Sequence, residues 1–168
     1  MIIRVLFVCL GNICRSPTAH GVFVKQIVDA GLSENIHVDS AGTSGWHKGS
    51  LPDSRSMEVA LAKGYDLSFI RSRQVLLDDY RKQDLILAMD KENLETLRSQ
   101  CPEEFQQKLG LFLSFVDSVS AREVPDPYYD GDENFEQVLS LIEDGGFALL
   151  KHLQKSHASG LCSFPMGA

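Results

Sequence analysis

The stretch CLGNICRSP at residues 9–17 combines a nucleophilic side chain with a phosphate-binding one. Cys9 is followed by Arg15 and then by Ser16-Pro17. A thiol attacks phosphorus as a thiolate, and a helix N-terminus together with an arginine lowers the pKa of a thiol. A guanidinium can hold two phosphoryl oxygens at once. The spacing therefore predicts phosphate chemistry at a thiolate, although a single cysteine after a strand is more often a small buried hydrophobe.

The residues around this pair are suited to bind an anion through the backbone. A loop that joins a strand to a helix turns its N–H groups inward and forms a concave anion site. Gly11 and Asn12 tolerate the left-handed backbone that such a loop needs. We expect the loop to bind the phosphoryl group through Leu10, Gly11, Asn12, Ile13, Cys14 and Ser16.

Cys14 is a second thiol in the same loop. It could be packed in the core, or it could pair reversibly with Cys9 on oxidation. Cysteine chemistry by itself favours neither interpretation.

The reaction also needs a group that protonates the leaving oxygen. The stretch EVPDPYYDGDE at residues 123–133 offers Asp126 between two prolines, which restrict its backbone. Asp and Pro are common in surface turns, but a turn gives no reason for the adjacent Tyr128 and Tyr129. We therefore predict that Asp126 is the general acid.

The apolar pattern predicts the elements that must position these groups. Strands are predicted at residues 2–8, 36–40, 84–89 and 109–113. Predicted helices are one capped by Ser16 with Pro17 at its first position, one capped by Asp53 or Ser54, a short one at 75–80, one capped by Asp90 and a last one capped by Asp132. This alternation predicts a single α/β domain, a doubly wound four-stranded parallel sheet with helices on both faces. Such sheets bind ligands at the carboxyl ends of their strands, where Cys9 stands.

The end of the chain departs from this regular pattern. Gly145-Gly146 inside the last helix should cost about 1 kcal/mol each relative to alanine, so we expect a bend or dense packing there. Residues 156–168 have no apolar period. We predict a domain at residues 1–155 and a mobile C-terminal tail at 156–168.

Composition excludes several classes of protein. A net charge of -7 over 168 residues argues against a nucleic-acid surface. The first apolar run is too short to cross a membrane and lacks a signal-peptide layout, so we expect no membrane partner. Four scattered cysteines indicate reduced thiols in a cytoplasmic protein. The five histidines stand singly, so we expect no metal and no cofactor.

CLGNICRSP together with the later DPYYD resembles the low-molecular-weight protein tyrosine phosphatase family, over residues 2 to about 154. Further likeness lies in SAGT at 40–43, PDSR at 52–55, RQV at 73–75 and MD at 89–90. The resemblance implies metal-independent hydrolysis of phosphotyrosine and aryl phosphates through a phosphocysteine. Cys9 would be the nucleophile, Arg15 the phosphate clamp, and Asp126 the general acid and then the base.

The resemblance also implies how the loop is supported. Asn12 and Ser16 would brace it, Ser16 would support the thiolate, and Ser40 would be a further hydrogen-bonding partner of the loop. Cys14 would form a protective disulfide with Cys9 on oxidation. Ile70 stands where many members carry a bracing histidine, so that brace must be absent or replaced.

The implied substrates are phosphotyrosine-containing proteins. Trp46, Tyr128 and Tyr129 would wall the substrate ring. Ile13 stands where related phosphoarginine enzymes carry threonine, which favours phosphotyrosine. Phosphate-like oxyanions would inhibit the enzyme, and the chain would be mainly a monomer.

Three other functions compete with this interpretation. A thiol-coupled arsenate reductase resembles the fold and the opening loop, but it needs two further cysteines close together, whereas Cys101 and Cys162 are far apart. A phosphocysteine carrier would not need Arg15 or Asp126. A phosphotyrosine-binding module would lack the nucleophile or the acid.

Overall fold

The computed structural model describes residues 1–117, 122–128 and 132–159, without the side chains of 132 and 157–159. The strands of this part are β1 (Ile3–Cys9), β2 (Ile36–Gly42), β3 (Leu85–Ala88) and β4 (Leu109–Leu111). The α-helices are α1 (Arg15–Asp29), α2 (Ser54–Ala62), α3 (Leu77–Lys82), α4 (Lys91–Gln100) and α5 (Asp132–Ser159). Short 3₁₀ helices at Glu103–Lys108 and Phe112–Phe115 flank β4.

The four strands form one parallel sheet in the order β2-β1-β3-β4. The predicted four-stranded parallel sheet is therefore confirmed. Because β2 and β3 lie on opposite sides of β1, the strand order reverses there, and a crevice opens beyond the carboxyl ends of β1 and β3. Cys9 ends β1, and Asp90 follows shortly after β3.

Alternate side chains of β1 enter two separate cores, because successive residues of a strand point to opposite faces. Val5 and Phe7 pack with residues of α1, α2 and α5. Leu6 and Val8 pack with residues of α3 and α4. Helices therefore cover both faces of the sheet, as predicted, and β1 is buried between them.

The start of α1 differs from the prediction. The helix begins at Arg15, and Cys14 rather than Ser16 occupies the N-cap position, without a side-chain capping bond. The Ser16 hydroxyl lies against Cys9 and Asn12 instead. Pro17 is tolerated because the backbone N–H groups of a first helical turn have no partner within the helix.

Other element boundaries agree with the pattern or shift by a few residues. Asp53 caps α2 and Asp90 caps α4, each by accepting a backbone N–H two or three residues later. The short helix predicted at 75–80 lies at Leu77–Lys82, and β4 ends at Leu111. The predicted cap of the last helix falls on a side chain outside the described part.

The two adjacent glycines of α5 are densely packed. A Cβ added to Gly145 would lie 2.7 Å from Cζ of Phe112, and one added to Gly146 would overlap Oε1 of Gln26. Of the two predicted explanations, dense packing is confirmed, since these glycines let α5 approach α1 and the turn after β4. The helix continues to Ser159, beyond the predicted domain end at 155. The division into a domain and a tail stays a prediction, because residues from 160 onward lie outside the description.

None of the described helices combines the length and apolar character that a membrane crossing requires.

Candidate active site

The loop between β1 and α1 directs four of its carbonyl groups towards neighbouring segments. The bonds run from Thr43 N to Cys9 O, from Ser44 N to Leu10 O, from Ser72 Oγ to Gly11 O and from Asp53 N to Ile13 O, at 2.7 to 2.9 Å. The N–H of a trans peptide points opposite to its C=O. The amides that follow these carbonyls are therefore directed into the loop, as an anion site requires.

Asn12 holds the loop in shape from a fully buried position. Its φ of 55° is the left-handed conformation that the sequence predicts. Its side chain donates to Ser16 Oγ at 2.8 Å and accepts from Arg73 N at 3.0 Å. Gly11 does not have a positive φ, contrary to the prediction. Its missing side chain instead makes room for His47, whose Cδ2 would lie 3.0 Å from an added Cβ.

The Cys9 sulfur lies 3.1 Å from the Ser16 hydroxyl, and both residues are buried. Because Ser16 Oγ accepts a hydrogen bond from Asn12, its own proton can be directed to the sulfur or to Ala41 O, which lies 3.3 Å away. A donor directed at sulfur stabilises a thiolate more than a thiol. This geometry supports the role predicted for Ser16.

Arg15 is 2% exposed and lies between two carboxylates. Its Nη1 donates to Asp90 Oδ2 at 2.5 Å and to Val124 O at 3.0 Å, and its Nη2 lies 3.4 Å from Asp126 Oδ2. Burial alone would lower the pKa of Arg15, but negative charge at Cys9, Asp90 and Asp126 outweighs burial and raises it. The guanidinium therefore stays charged beside the thiol.

Asp126 lies at the rim, where a substrate can reach it. Its Oδ1 accepts from Tyr128 N at 3.1 Å, and its side chain is 37% exposed. The structure thus brings the predicted acid, Arg15 and Cys9 to one pocket.

The pocket is formed by most of the predicted substrate-binding residues. Its lining comprises Cys9, Leu10, Gly11, Ile13, Cys14, Arg15, Trp46, Asp126 and Tyr128, together with His47. Trp46 is 78% exposed and Tyr128 37%, so they form open walls above the buried thiol. Asn12 and Ser16 are buried and support the loop, and Tyr129 lies outside the described residues.

Cys14 is a buried thiol on the pocket floor. Burial raises the pKa of Cys14 to about 12, and the negative charge of Asp53 adds to this effect. Cys14 is therefore protonated at neutral pH, unlike a group prepared for nucleophilic attack.

Ser40 makes a different contact from the one that the resemblance implies. Its hydroxyl lies 3.0 Å from Nδ1 of His20 on α1 rather than bonding the phosphate loop. Burial lowers the pKa of His20 to about 4, so the imidazole is neutral at pH 7. The rings of His20 and Phe69 form a T-shaped pair whose centroids are 5.2 Å apart.

The segment after Ile70 replaces the expected histidine brace. Ile70 is buried in the core, and the next residues reach the loop. Ser72 Oγ donates to Gly11 O at 2.9 Å, and Arg73 N donates to Asn12 Oδ1 at 3.0 Å. Two hydrogen bonds therefore join this segment to the loop.

Sequence reasoning missed several contacts in this site. Asp90 was predicted only as a helix cap, although an acid after the strand next to β1 could have indicated a partner for Arg15. His20 and Ser72 carry no local signal, because their contacts depend on packing between distant segments. No group of three potential metal ligands occurs among the residues described.

Comparisons with known proteins agree with this geometry. The profile of the family described as low molecular weight phosphotyrosine protein phosphatase matches residues 4–159. The chain is 42% identical over 153 residues to the low molecular weight protein-tyrosine-phosphatase YfkJ of Bacillus subtilis, covering 91% of this chain and 97% of that one. It is 43% identical over 136 residues to the human low molecular weight phosphotyrosine protein phosphatase, covering 80% and 85%.

The chain is also similar in structure to a solved protein tyrosine phosphatase. The crystal structure of a protein tyrosine phosphatase from Entamoeba histolytica, with Hepes in its active site, superposes with a TM-score of 0.89 at 40% identity. The match covers 92% of this chain and 99% of that one. Fold and site define a single-domain enzyme with a phosphate loop at a strand switch. The chain belongs to the low molecular weight phosphotyrosine protein phosphatase family. The arsenate reductase alternative is not favoured, because these relatives are named phosphatases.

Proposed function

We propose that this chain hydrolyses phosphotyrosine in proteins and small aryl phosphates, through a phosphocysteine on Cys9 and without a metal. The observation that carries the proposal is that Cys9, Arg15 and Asp126 line the same pocket. It supplies a nucleophile, a charged group for phosphoryl oxygens and a proton donor, which are the three functions that the reaction requires.

In the first step, the Cys9 sulfur attacks phosphorus and the bond to the aryl oxygen breaks. Asp126, in its protonated form, gives its proton to the departing oxygen. Arg15 and the inward-facing loop amides bind the equatorial oxygens, whose negative charge is distributed in the transition state. The product is phosphocysteine and a neutral phenol.

In the second step, water attacks the phosphocysteine. Asp126, now a carboxylate, accepts a proton from that water, and the bond between phosphorus and sulfur breaks. The Cys9 thiolate returns to its contact with Ser16, 3.1 Å away, and inorganic phosphate leaves. Because phosphate binds this loop as product, we expect phosphate-like oxyanions to inhibit competitively.

The setting of the enzyme is part of the proposal. The thiols of Cys9, Cys14 and Cys101 support a reducing, cytoplasmic environment. A mainly monomeric state is a prediction that sedimentation of the purified chain can check. A protective disulfide between Cys9 and Cys14 is also proposed.

The test is hydrolysis of a phosphotyrosine peptide and of p-nitrophenyl phosphate in the presence of a chelator. We expect turnover by the wild type, a mass increase of one phosphoryl group on Cys9 after rapid quenching, and no turnover by Cys9→Ser. Cys9→Ser should still bind an oxyanion, since Arg15 and the loop amides remain. More than a few per cent of wild-type turnover in Cys9→Ser would contradict the proposal.

A parallel assay separates the alternative function. Thiol oxidation that depends on arsenate, with no phosphate release from aryl phosphates, would indicate an arsenate reductase instead.

A further inference from the structure

The PDSR segment at 52–55 contains a cation that the proposed reaction does not use. Arg55 is the second residue of α2 and forms a two-point ion pair with the helix cap. Its Nε lies 3.1 Å from Asp53 Oδ1, and its Nη2 lies 3.0 Å from Asp53 Oδ2. Two parallel contacts fix the plane of the guanidinium, which a single ion pair would not do.

The same guanidinium reaches the segment that carries the proposed acid. Arg55 Nη2 donates to Tyr128 O at 3.2 Å. Its Cζ lies 5.6 Å from the centre of the Tyr128 ring and 4.6 Å from that of Phe135, in the first turn of α5. Arg55 thereby joins α2, the acid segment and the start of α5.

Tyr128 transmits this position to the carboxylate. The backbone N–H of Tyr128 donates to Asp126 Oδ1 at 3.1 Å, while its carbonyl accepts from Arg55. The other carboxylate oxygen, Oδ2, lies 3.4 Å from Arg15. Asp126 is thus oriented at one oxygen by the phosphate clamp and at the other by a residue that Arg55 holds.

Asp53 joins this arrangement to the phosphate loop. Its backbone N–H donates to Ile13 O at 2.7 Å. Burial alone would raise the pKa of Asp53, but the hydrogen bonds and charge of Arg55 outweigh burial and lower it. Asp53 therefore stays ionised, and Arg55 stays paired, at neutral pH.

We propose that Arg55 is a positioning residue for catalysis, which holds the Asp126 carboxylate where it can protonate the leaving oxygen. The role rests on the proposed acid function of Asp126. Arg55 acts through Tyr128 and has no contact with the reacting atoms in this proposal.

The test compares two substrates that differ in their need for an acid. Phenyl phosphate has a poor leaving group that needs a proton, whereas p-nitrophenyl phosphate has a good one, which can depart as the p-nitrophenolate anion without a proton. Arg55→Met should lower kcat/KM for phenyl phosphate about tenfold more than for p-nitrophenyl phosphate, a part of the contribution typical of a general acid. For Arg55→Lys, the ratio of the two kcat/KM values should lie between those of Arg55→Met and the wild type. Lysine keeps the charge but lacks the planar group that makes two parallel contacts.

Lys63→Met is the matched control. Lys63 adjoins the other end of α2 and forms an ion pair with Glu143 of α5 at 3.3 Å, so it also joins α2 to α5 but lies apart from the acid segment. We expect its ratio of the two kcat/KM values to equal that of the wild type. If Arg55→Met lowers kcat/KM by the same factor for both substrates, Arg55 only stabilises the fold and the proposal is wrong. Arg55→Lys carries the same comparison if Arg55→Met does not fold.

A double substitution separates this proposal from the function of Asp126 itself. In an Asp126→Ala background, Arg55→Met should leave the substrate ratio unchanged, because no carboxylate remains to be positioned. A further change in that ratio would overturn the role of Arg55. If Asp126→Ala alone does not change the ratio, the acid assignment fails, and a shift in Arg55→Met would then have another cause.

Discussion

Arg15 and Asp90 are 75 residues apart in the chain, yet Nη1 of the arginine donates to Oδ2 of the aspartate. The other oxygen of Asp90 accepts the backbone N–H of Asn93 and so caps α4. One carboxylate therefore both begins a helix and orients the proposed phosphate clamp. Its position depends on β3 lying beside β1.

Substitution of Asp90 should separate these two roles. Asp90→Asn keeps an oxygen that can cap α4 but loses the charge beside Arg15. We expect kcat/KM for p-nitrophenyl phosphate to fall about tenfold, with little change in Tm. Asp90→Ala should show the same loss of activity and also lose about 1 kcal/mol of stability from the missing cap. Unchanged activity in Asp90→Asn would mean that Arg15 is oriented by Val124 O and Asp126 alone.

Removal of the proposed acid should have an effect that depends on the leaving group. Asp126→Ala should slow phenyl phosphate about a hundredfold or more, and p-nitrophenyl phosphate far less. The neighbouring Asp130 and Asp132 are the alternative acids, and Asp130→Ala and Asp132→Ala are the controls. A steeper dependence on leaving-group pKa in Asp130→Ala, with none in Asp126→Ala, would identify Asp130 as the acid.

Aromatic walls around a buried thiol should favour a long, flat phosphomonoester. We expect kcat/KM for a phosphotyrosine peptide to exceed that for the matched phosphoserine peptide, because the shorter side chain cannot bring its phosphate to Cys9 while contacting Trp46. Trp46→Ala should reduce this preference, and Trp46→Phe should retain most of it. Since Trp46 is 78% exposed, neither change should alter Tm. A ratio near one in the wild type would indicate an unselective phosphatase.

The raised pKa of Cys14 leads to an order of reactivity. At neutral pH, iodoacetate should modify Cys9 before Cys14, which peptide mass mapping can measure.

Cys14→Ser should keep substantial activity but recover poorly after peroxide treatment and reduction, if Cys14 shields Cys9 as a disulfide. Cys101→Ser, another buried thiol, should recover like the wild type. Equal recovery of Cys14→Ser and the wild type would leave core packing as the role of Cys14.

The buried His20 should make stability depend on pH. Its pKa is about 4 when folded and near 6.5 when unfolded, so the unfolded chain binds more protons between these values. The free energy of unfolding should therefore fall as pH drops through this range, by about 2 kcal/mol between pH 7 and pH 4.5 from His20 alone. Chemical denaturation at pH 7 and pH 4.5 should show that the free energy of unfolding changes less with pH in His20→Asn than in the wild type. His37 is exposed, so the pH dependence of His37→Asn should match that of the wild type.

The phosphate loop was predictable because its chemistry requires particular residue types at short spacing. Cys9 ends β1, Arg15 begins α1, and the left-handed Asn12 lies in the short connection between them. The alternation of apolar segments likewise indicated the parallel sheet. The capping role predicted for Ser16 was wrong, because a serine that precedes a helical pattern has the same local signal whether it caps the helix or contacts a thiol. Its contact with the Cys9 thiol was implied only by the family resemblance.

The contacts that hold the loop could not be predicted in the same way. Ser72, Arg73 and Asp90 reach the site from segments whose places depend on the strand order and on packing. Gly42 at the end of β2 shows the same limit, because its backbone lies so close to the loop that a Cβ there would be 2.7 Å from Leu10 O. A glycine in SAGT does not indicate by itself which backbone approaches it. Such information lies in the three-dimensional arrangement of distant segments.

The contrast in burial between the floor and the rim of the pocket has a consequence for evolution. Asn12, Arg15 and Ser16 are at most 2% exposed, and each is bonded to several segments, so few replacements there can be accommodated. Among the pocket residues with no proposed role in proton transfer, Leu10, Trp46 and Tyr128 are more than a third exposed. We therefore expect mutations to be accepted more readily at these rim positions than at the floor, so that, under the proposed function, the choice of phosphoprotein can change while the chemistry stays the same.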